Sequence, residues 1–165
     1  MTPAQIQTFA TALQAEIDQS IVDALADGDN NAIADWYNAP ADPAFYVFEA
    51  TISKDDIVGA MDWDNEYVTF KDELLGLSFL FEAGAIDPQP ENTRKALAKI
   101  LTGATASRDA ILTIATKITS RIEAMFAITA NGPAGGDGLA ANAAAVSANI
   151  GTISKIEIRA ARKLF

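Results

Sequence analysis

The chain of 165 residues contains neither cysteine nor histidine. These two absences exclude a disulfide framework, metal sites built from Cys or His, a cysteine nucleophile and every catalytic triad that needs an imidazole. No segment reaches the roughly 18 consecutive apolar residues of a membrane span, and the N-terminus lacks a basic region followed by an apolar stretch. We therefore expect a soluble protein that is not exported.

The length suits one domain, and half of the residues are apolar, which is enough to bury a core. The net charge is −10, and it is unevenly distributed. Up to Glu91 there are 18 acidic residues and two lysines, whereas from Asn92 onward there are ten basic residues and four acidic ones. This asymmetry favours head-to-tail contact between copies, or a basic face that meets an acidic partner or nucleic acid. Solvated faces without a partner are the alternative.

Apolar residues recur every three or four positions along most of the chain, which predicts a mainly α helical bundle of about five to seven helices. One extended or β segment is expected near 44–52, because Phe45–Ile52 is rich in aromatic and β-branched residues. The glycines between 132 and 138, followed by an alanine-rich tract, predict a flexible arm before a short C-terminal helix. We accordingly divide the chain into a helical domain at 1–130, the arm at 131–151 and a C-terminal docking helix at 152–165.

Local patterns predict where several helices begin. Thr2 precedes a proline, and Ser53 and Ser154 are each followed three residues later by an acidic residue, which are helix N-cap and capping-box patterns. Another helix is expected to begin at Asn92 or Thr93. The longest clean helix is predicted to begin near Thr105 or Ser107 and to end at about Ile128.

The apolar stripes of these helices also predict the core. The residues expected there are Ile6, Phe9, Leu13, Trp36, Leu74, Leu77, Ile111, Ile114, Ile118 and Ile122. Burial of a large aliphatic side chain contributes about 1.5–3 kcal/mol, so Ile118→Asp is expected to unfold the domain.

Three motifs approach known chemistry, and each lacks a required feature. Asp62–Glu66 alternates side-chain oxygens as a calcium loop does, but Tyr67 occupies the position at which such a loop needs glycine. We interpret it as a polar loop with Trp63 packed inwards. The glycine-rich segment has no following Lys-Ser or Lys-Thr to hold a phosphate. Adjacent carboxylates such as Asp55 and Asp56 point apart on a helix. No catalytic, cofactor or metal site is therefore assigned.

Basic residues on two neighbouring predicted helices form a candidate stripe. Its members are Arg94, Lys95, Lys99, Arg108, Lys117 and Arg121. Contact with DNA phosphates is one interpretation, and salt bridges to the acidic first half of another copy are the other. Of this stripe, Arg94, Lys95 and Lys99 are the candidate partner-binding residues. Reversing these three to Glu is expected to reduce assembly and to leave the monomer folded.

The C-terminal helix carries more apolar and basic residues than a disordered tail needs. We expect it to dock onto a neighbouring subunit or another partner through Ile156, Leu164 and Phe165, with its basic residues meeting acidic side chains. Those candidate basic residues are Arg159, Arg162 and Lys163. The alternative is a last helix that folds back on its own domain.

Six segments follow one another in a recognisable order: Tyr37-Asn-Ala-Pro-Ala-Asp-Pro-Ala-Phe-Tyr-Val-Phe48, Ser53-Lys-Asp-Asp-Ile57, Asp62-Trp63, Asp87-Pro-Gln-Pro90, Thr93-Arg-Lys-Ala-Leu97 and Arg121-Ile-Glu-Ala-Met-Phe-Ala127. This order resembles a family of small proteins encoded in the head–neck modules of tailed bacteriophages, and the resemblance covers roughly residues 20 to 165. The chain departs from the usual family pattern in its Arg121-Ile-Glu-Ala-Met-Phe126 run and in a more basic closing segment.

The resemblance implies a non-enzymatic virion protein without a cofactor. The role it favours is a head–tail connector, or adaptor, that forms a cyclic ring between the portal and the tail, of about twelve copies. Its partners would be further copies of itself, the portal protein and tail or neck proteins, with DNA only passing through the channel and no membrane involved. The protein would be located at the virion neck, and in the host cytoplasm during assembly.

Three other functions remain open. A DNA-contacting packaging or head-completion protein would use the basic second half of the chain, and its binding would depend steeply on salt. A capsid decoration or tail-completion protein would share the virion setting. A carboxylate hydrolase would need a pH–activity profile that depends on particular acidic residues.

Overall fold

The computed structural model describes most of the chain. The described residues are 1–80, 82, 84–127 and 150–165, without the side chains of Glu73, Phe79 and Leu80. The predicted flexible arm lies almost wholly outside the described residues.

The predicted mainly α fold is confirmed, and the helices are shorter and more numerous than expected. In chain order the elements are α1 (Pro3–Gln14), α2 (Gln19–Asp27), α3 (Asn30–Asn38), β1 (Tyr46–Phe48), β2 (Ile52–Ser53), α4 (Lys54–Ala60), α5 (Tyr67–Phe70), a 3₁₀ turn (Lys71–Glu73), α6 (Leu74–Leu80), β3 (Ala85–Ile86), α7 (Glu91–Ile100), α8 (Thr105–Ala115), β4 (Thr116–Ile118), α9 (Arg121–Phe126) and α10 (Lys155–Arg162). The described part of the chain thus has ten α-helices.

These elements form two compact units. Unit 1 comprises Met1–Ala44, Thr119–Phe126 and, among the described residues, 150–165. Unit 2 is formed mainly by Phe45–Ile118. Each unit has its own buried apolar cluster.

Helix α3 is the central element of unit 1, since α2, α9 and α10 all pack against it. Helix α10 also packs on α1. The buried side chains of this unit are Phe9, Ala10, Leu13, Ile21, Ala24, Ile33, Ala34, Tyr37, Ile122, Ile153, Ile158 and Ala161. The last three show that the C-terminal segment contributes to the core of its own unit.

Helices α4 and α8 pack together in unit 2, and α6 packs on α7. The buried cluster between these elements consists of Ile52, Ile57, Met61, Phe70, Leu77, Ile86, Leu97, Ile100, Leu101, Ala104, Ile111 and Ala115. Two antiparallel strand pairs accompany the helices: β1 with β4, in which Val47 lies opposite Lys117, and β2 with β3, in which Ile52 lies opposite Ile86.

Several predicted helix starts are confirmed. The side chains of Thr2, Ser53 and Ser154 cap α1, α4 and α10, and Thr2 and Ser154 form complete capping boxes. Helix α7 instead begins after Pro90, so the prediction of a cap at Asn92 or Thr93 is wrong. Among the described residues, no side chain caps α7, but Glu91 places a negative charge in its first turn, which is favourable at a helix N-terminus.

The predicted long helix from Thr105 to Ile128 is wrong. Helix α8 ends at Ala115, the next three residues form β4, and α9 begins at Arg121. Thr116, Ile118 and Thr119 are β-branched and favour extended backbone, and β1 supplies the partner strand.

The predicted core is confirmed in part. Phe9, Leu13, Leu77, Ile111 and Ile122 are buried. The residues that pack only partly buried against the two clusters are Ile6, Trp36, Leu74 and Ile114. Ile118 does not belong to the core, because it lies opposite Tyr46 in the β1–β4 pair and its side chain is 49% exposed.

Candidate interaction surface

The C-terminal segment is fixed to unit 1 at both ends of its last helix. Before α10, the Asn38 side chain donates to the carbonyl oxygen of Ile153 at 2.9 Å and accepts from the Ile153 amide at 2.7 Å. Ser154 then caps the helix, and its hydroxyl accepts from the amide of Glu157. These bonds, together with burial of Ile158 and Ala161, fix the direction in which the other side of α10 faces.

Arg162 belongs to the internal packing of unit 1. Its guanidinium donates to the carbonyl oxygen of Leu25 at 2.9 Å and to the side-chain oxygen of Asn30 at 3.0 Å. The Leu25 carbonyl lies in the last turn of α2, where it also accepts from the Gly28 amide at 3.3 Å, so the arginine adds a second donor at this helix end. Two of the Arg162 donors are therefore engaged within its own unit, whereas the prediction that Arg162 binds a partner stays a prediction.

The remaining predicted residues of this segment form an exposed surface, which we call the outer face of α10. It consists of Ile156, Arg159, Lys163, Leu164 and Phe165. The side chain of Ile156 is 70% exposed, and those of Leu164 and Phe165 are 50% exposed. Positions 156, 159 and 163 follow helical spacing, so they lie on one side of the helix, and Leu164 and Phe165 directly follow its C-terminal end. Among the described residues, neither Arg159 nor Lys163 has an ion-pair partner.

Arg94 lies in the interior of unit 2, although the sequence predicted a partner-binding residue. The side chain is 1% exposed, and the guanidinium lies 4.4 Å from the centroid of the Phe48 ring. Its Nη1 donates to the carbonyl oxygens of Pro88 and Gln89, which precede α7. Burial lowers the pKa of Arg94, and the charges of Glu91 and Asp87 oppose this effect. Arg94 thus stabilises the start of α7 and is unavailable to a partner.

The other two predicted residues of α7 are on the surface. Lys95 forms a pair with Glu91, one turn earlier, at 2.7 Å, and Lys99 is exposed. Three residues of the predicted basic stripe therefore have contacts within the protein. Arg94 is buried, Lys117 pairs with Glu49 at 2.9 Å, and Arg121 lies against the Trp36 ring. The reversal of Arg94 to Glu would place a charge without a partner in the core.

The Asp62–Glu66 loop uses its side-chain oxygens within unit 2. The carboxylate of Glu66 accepts from the amides of Ala106 and Ser107, both at 2.8 Å. These amides belong to the first turn of α8, whose own N-cap residue, Ala104, offers no side-chain acceptor. Ser107 in turn accepts from the Asp62 amide at 2.9 Å. The loop is therefore a capping device for a distant helix.

The lowered pKa of Glu66 is consistent with its role as the cap of α8. Desolvation raises the pKa of Glu66, and the charge of Asp62 raises it further. The hydrogen bonds from Ser107 and Ala106 outweigh both effects and hold the pKa below its ordinary value of 4.5. Throughout the described ranges, no three acidic side chains converge in an arrangement that could hold a metal ion.

A second exposed surface, which sequence reasoning missed, lies beside this loop. Trp63 was predicted to pack inwards, but its side chain is 40% exposed, and that of Tyr67 is 45% exposed. The indole N–H of Trp63 donates to the carbonyl oxygen of Val58 at 2.8 Å, and its ring lies 5.3 Å from the buried ring of Phe70. The spacing of three aromatic residues at 63, 67 and 70 was the available signal.

We call this surface the Trp63 patch and define it as Val58, Trp63, Asp64 and Tyr67. The rings of Trp63 and Tyr67 lie 6.3 Å apart, and Val58 is partly exposed beside the indole. Asp64 is exposed next to Trp63 in the chain. Trp and Tyr are enriched among the residues that dominate protein–protein binding energies, because they bury a large area and lose little entropy.

Comparisons with known proteins found no relative of this chain. Neither the protein-family models, nor the curated proteins, nor the solved structures contain a match to this chain. In the part of the chain that the structure describes, none of the helices has the length and apolar character needed to cross a bilayer.

Proposed function

We propose that this protein is a structural subunit of a tailed-bacteriophage virion, a head–tail connector that forms a ring between the portal and the tail. Its role is to join other proteins and requires no covalent chemistry. The resemblance in the order of sequence segments supplies the virion setting. The observation that carries the docking role is the outer face of α10.

The outer face suits docking for three physical reasons. Helix α10 is fixed by its capping box and by Ile158 and Ala161, so its exposed side chains are already oriented before a partner binds. Ile156, Leu164 and Phe165 offer apolar area whose burial is favourable. Arg159 and Lys163 provide charge that can pair with acidic side chains and so select the partner.

A ring requires that one surface of each copy meets a different surface of the next. A basic and apolar face on a chain with a net charge of −10 suits this requirement, because acidic residues outnumber basic ones by 22 to 12 and can provide an oppositely charged surface on the next copy. The same face could meet an acidic surface of the portal protein. DNA would then pass through the channel of the ring without specific contact.

The test compares the full-length protein with the variant Ile156→Ser/Leu164→Ser/Phe165→Ser. We expect negative-stain electron microscopy and analytical ultracentrifugation to show closed rings for the unchanged protein and monomers for the triple variant. The matched control is Ile17→Ser, since Ile17 is an almost fully exposed apolar residue of the same unit. Circular dichroism checks that all three proteins are folded.

Two results would contradict the proposal. A protein that remains monomeric at every concentration, or that forms open filaments, is not a ring-forming connector. A triple variant that assembles as the unchanged protein does would show that the outer face of α10 is not the docking surface. Strong binding of duplex DNA that weakens steeply with salt would instead favour the packaging role.

A further inference from the structure

We propose that the Trp63 patch is the acceptor surface for the outer face of α10 of a second copy of this chain. This inference rests on the proposed function, because it identifies where the docking face binds in the next subunit. The contact is heterologous, so each copy uses its α10 face on one neighbour and its Trp63 patch on the other.

The Trp63 patch is rigid, as an acceptor must be to bind without a large loss of entropy. The indole is fixed by its hydrogen bond to Val58 and rests edge-on against Phe70, which is fully buried. Tyr67 also meets Phe70 edge-on, at 6.0 Å between ring centroids. The half-exposed rings of Trp63 and Tyr67 thus both pack against the buried ring of Phe70, and they lie 6.3 Å apart.

The charges around the two surfaces are complementary. Asp64 is exposed and follows Trp63 in the chain, and Asp55 is exposed one turn before Val58 on α4. The outer face of α10 carries Arg159 and Lys163. No ion pair among the described residues engages Asp55 or Asp64, so both remain available to a cation from another copy.

The apolar parts are complementary as well. Ile156, Leu164 and Phe165 are aliphatic and aromatic side chains that can lie on the indole and phenol rings, which removes apolar area from water on both surfaces. An arginine at the edge of such a contact can stack on the indole, an attraction that is strongest with Trp. The chain itself therefore carries a surface with the chemistry that the patch would bind.

The experiment mixes two full-length variants that are each defective on one surface. The acceptor variant is Asp64→Lys/Tyr67→Ser, which leaves Trp63 and its hydrogen bond in place. The donor variant is the Ile156→Ser/Leu164→Ser/Phe165→Ser protein. Alone, each variant is expected to be monomeric. Mixed in equal amounts, they are expected to form a 1:1 dimer that cannot grow, because only one intact pair of surfaces remains.

Fluorescence provides an independent measurement. Trp36 is the other tryptophan of the chain, so Trp36→Phe leaves Trp63 as the single reporter. The emission of Trp63 should shift to shorter wavelength when the proteins assemble, since the indole becomes covered. The matched control for the acceptor variant is Leu75→Ser, an exposed apolar residue of the same unit, which should assemble as the unchanged protein does.

The outcomes separate this inference from the proposed function. If the acceptor variant assembles as well as the unchanged protein, or if the mixture stays monomeric, the Trp63 patch is not the acceptor, while ring formation by the unchanged protein still supports the connector role. If the unchanged protein never self-assembles, both proposals are overturned. Rescue of Asp64→Lys assembly by Lys163→Asp in the same chain would support direct pairing of these two side chains.

Discussion

Glu66 provides the most direct test of the local energetics, because its carboxylate caps a helix that is far away in sequence. Two amides of the first turn of α8 donate to it at 2.8 Å, and the N-cap residue Ala104 cannot replace it. Loss of a side-chain cap costs about 0.5–2 kcal/mol, and the charge at a helix N-terminus contributes about 0.3–1 kcal/mol. Glu66→Ala should therefore lower the free energy of unfolding by about 2 kcal/mol.

Glu66→Gln separates the charge from the hydrogen bonds. The amide side chain keeps one acceptor oxygen and loses the negative charge, so we expect a loss of about 1 kcal/mol. The assay is urea unfolding followed by the fluorescence of Trp63 in a Trp36→Phe background, which reports on unit 2. The matched control is Asp64→Asn in the same loop, because this exposed carboxylate has no hydrogen-bond or ion-pair partner among the described residues.

The pH dependence provides a second readout of the same contact. The pKa of Glu66 is held below 4.5 in the folded protein, so its contribution to stability is complete above the unfolded pKa. That contribution is lost as the pH falls through the lowered folded pKa. Glu66→Gln should lack this part of the acid dependence. A stability within about 0.5 kcal/mol of the unchanged protein for Glu66→Ala, or an equal loss in Asp64→Asn, would refute the capping role.

Two further predictions concern residues whose environment the structure reassigned. Arg94→Ala should lower the free energy of unfolding by about 2–4 kcal/mol, because it removes the stacking on Phe48 and the donor to the carbonyl oxygens of Pro88 and Gln89. The control Lys99→Ala, on the same helix, should change this free energy by less than about 0.5 kcal/mol. Ile118→Asp should leave the protein folded, since this side chain is half exposed, whereas Ile122→Asp should unfold unit 1 because Ile122 is buried. Thermal melts followed by circular dichroism measure both variants, and equal melting temperatures would contradict the assignment of Ile118 to the surface and Ile122 to the core.

Features that depend on a few neighbouring residues could be predicted from the sequence. The caps at Thr2, Ser53 and Ser154 are examples, because the residue that caps and the amide that it binds are three positions apart. The extended backbone at Tyr46–Phe48 likewise follows from local propensity. Such signals require no knowledge of which segments meet in the fold.

Features that depend on contacts between distant segments could not be predicted from the sequence. The basic composition of α7 suggests an exposed face, and only the position of the Phe48 ring makes Arg94 a buried residue. Similarly, the apolar spacing around Ile118 continues the pattern of α8, whereas the β-branched residues there favour extended backbone. Pairing with β1 decides between these two local signals, and the helix ends before Ile118.

The candidate interaction surfaces could likewise be predicted only in part from the sequence. Ile156, Leu164 and Phe165 were predicted as docking residues from their amphipathic pattern, and all three are exposed. Arg162 belongs to the same pattern, but its guanidinium donates to the Leu25 carbonyl at the end of α2 and to the Asn30 side chain. A pattern of charge and hydropathy therefore identifies the segment, whereas the hydrogen-bond partners decide which of its side chains remain available.

The uneven charge along the sequence does not divide the folded protein into an acidic and a basic unit. Among the described residues, unit 1 contains nine acidic and five basic residues, and unit 2 contains twelve and seven. Both units are acidic because segments from the two halves of the chain meet in each. In the proposed ring, attraction between copies would therefore come from small faces, such as the outer face of α10, and not from opposed net charges. The salt dependence of assembly should therefore follow Arg159 and Lys163, whose neutralisation to Gln should remove most of it.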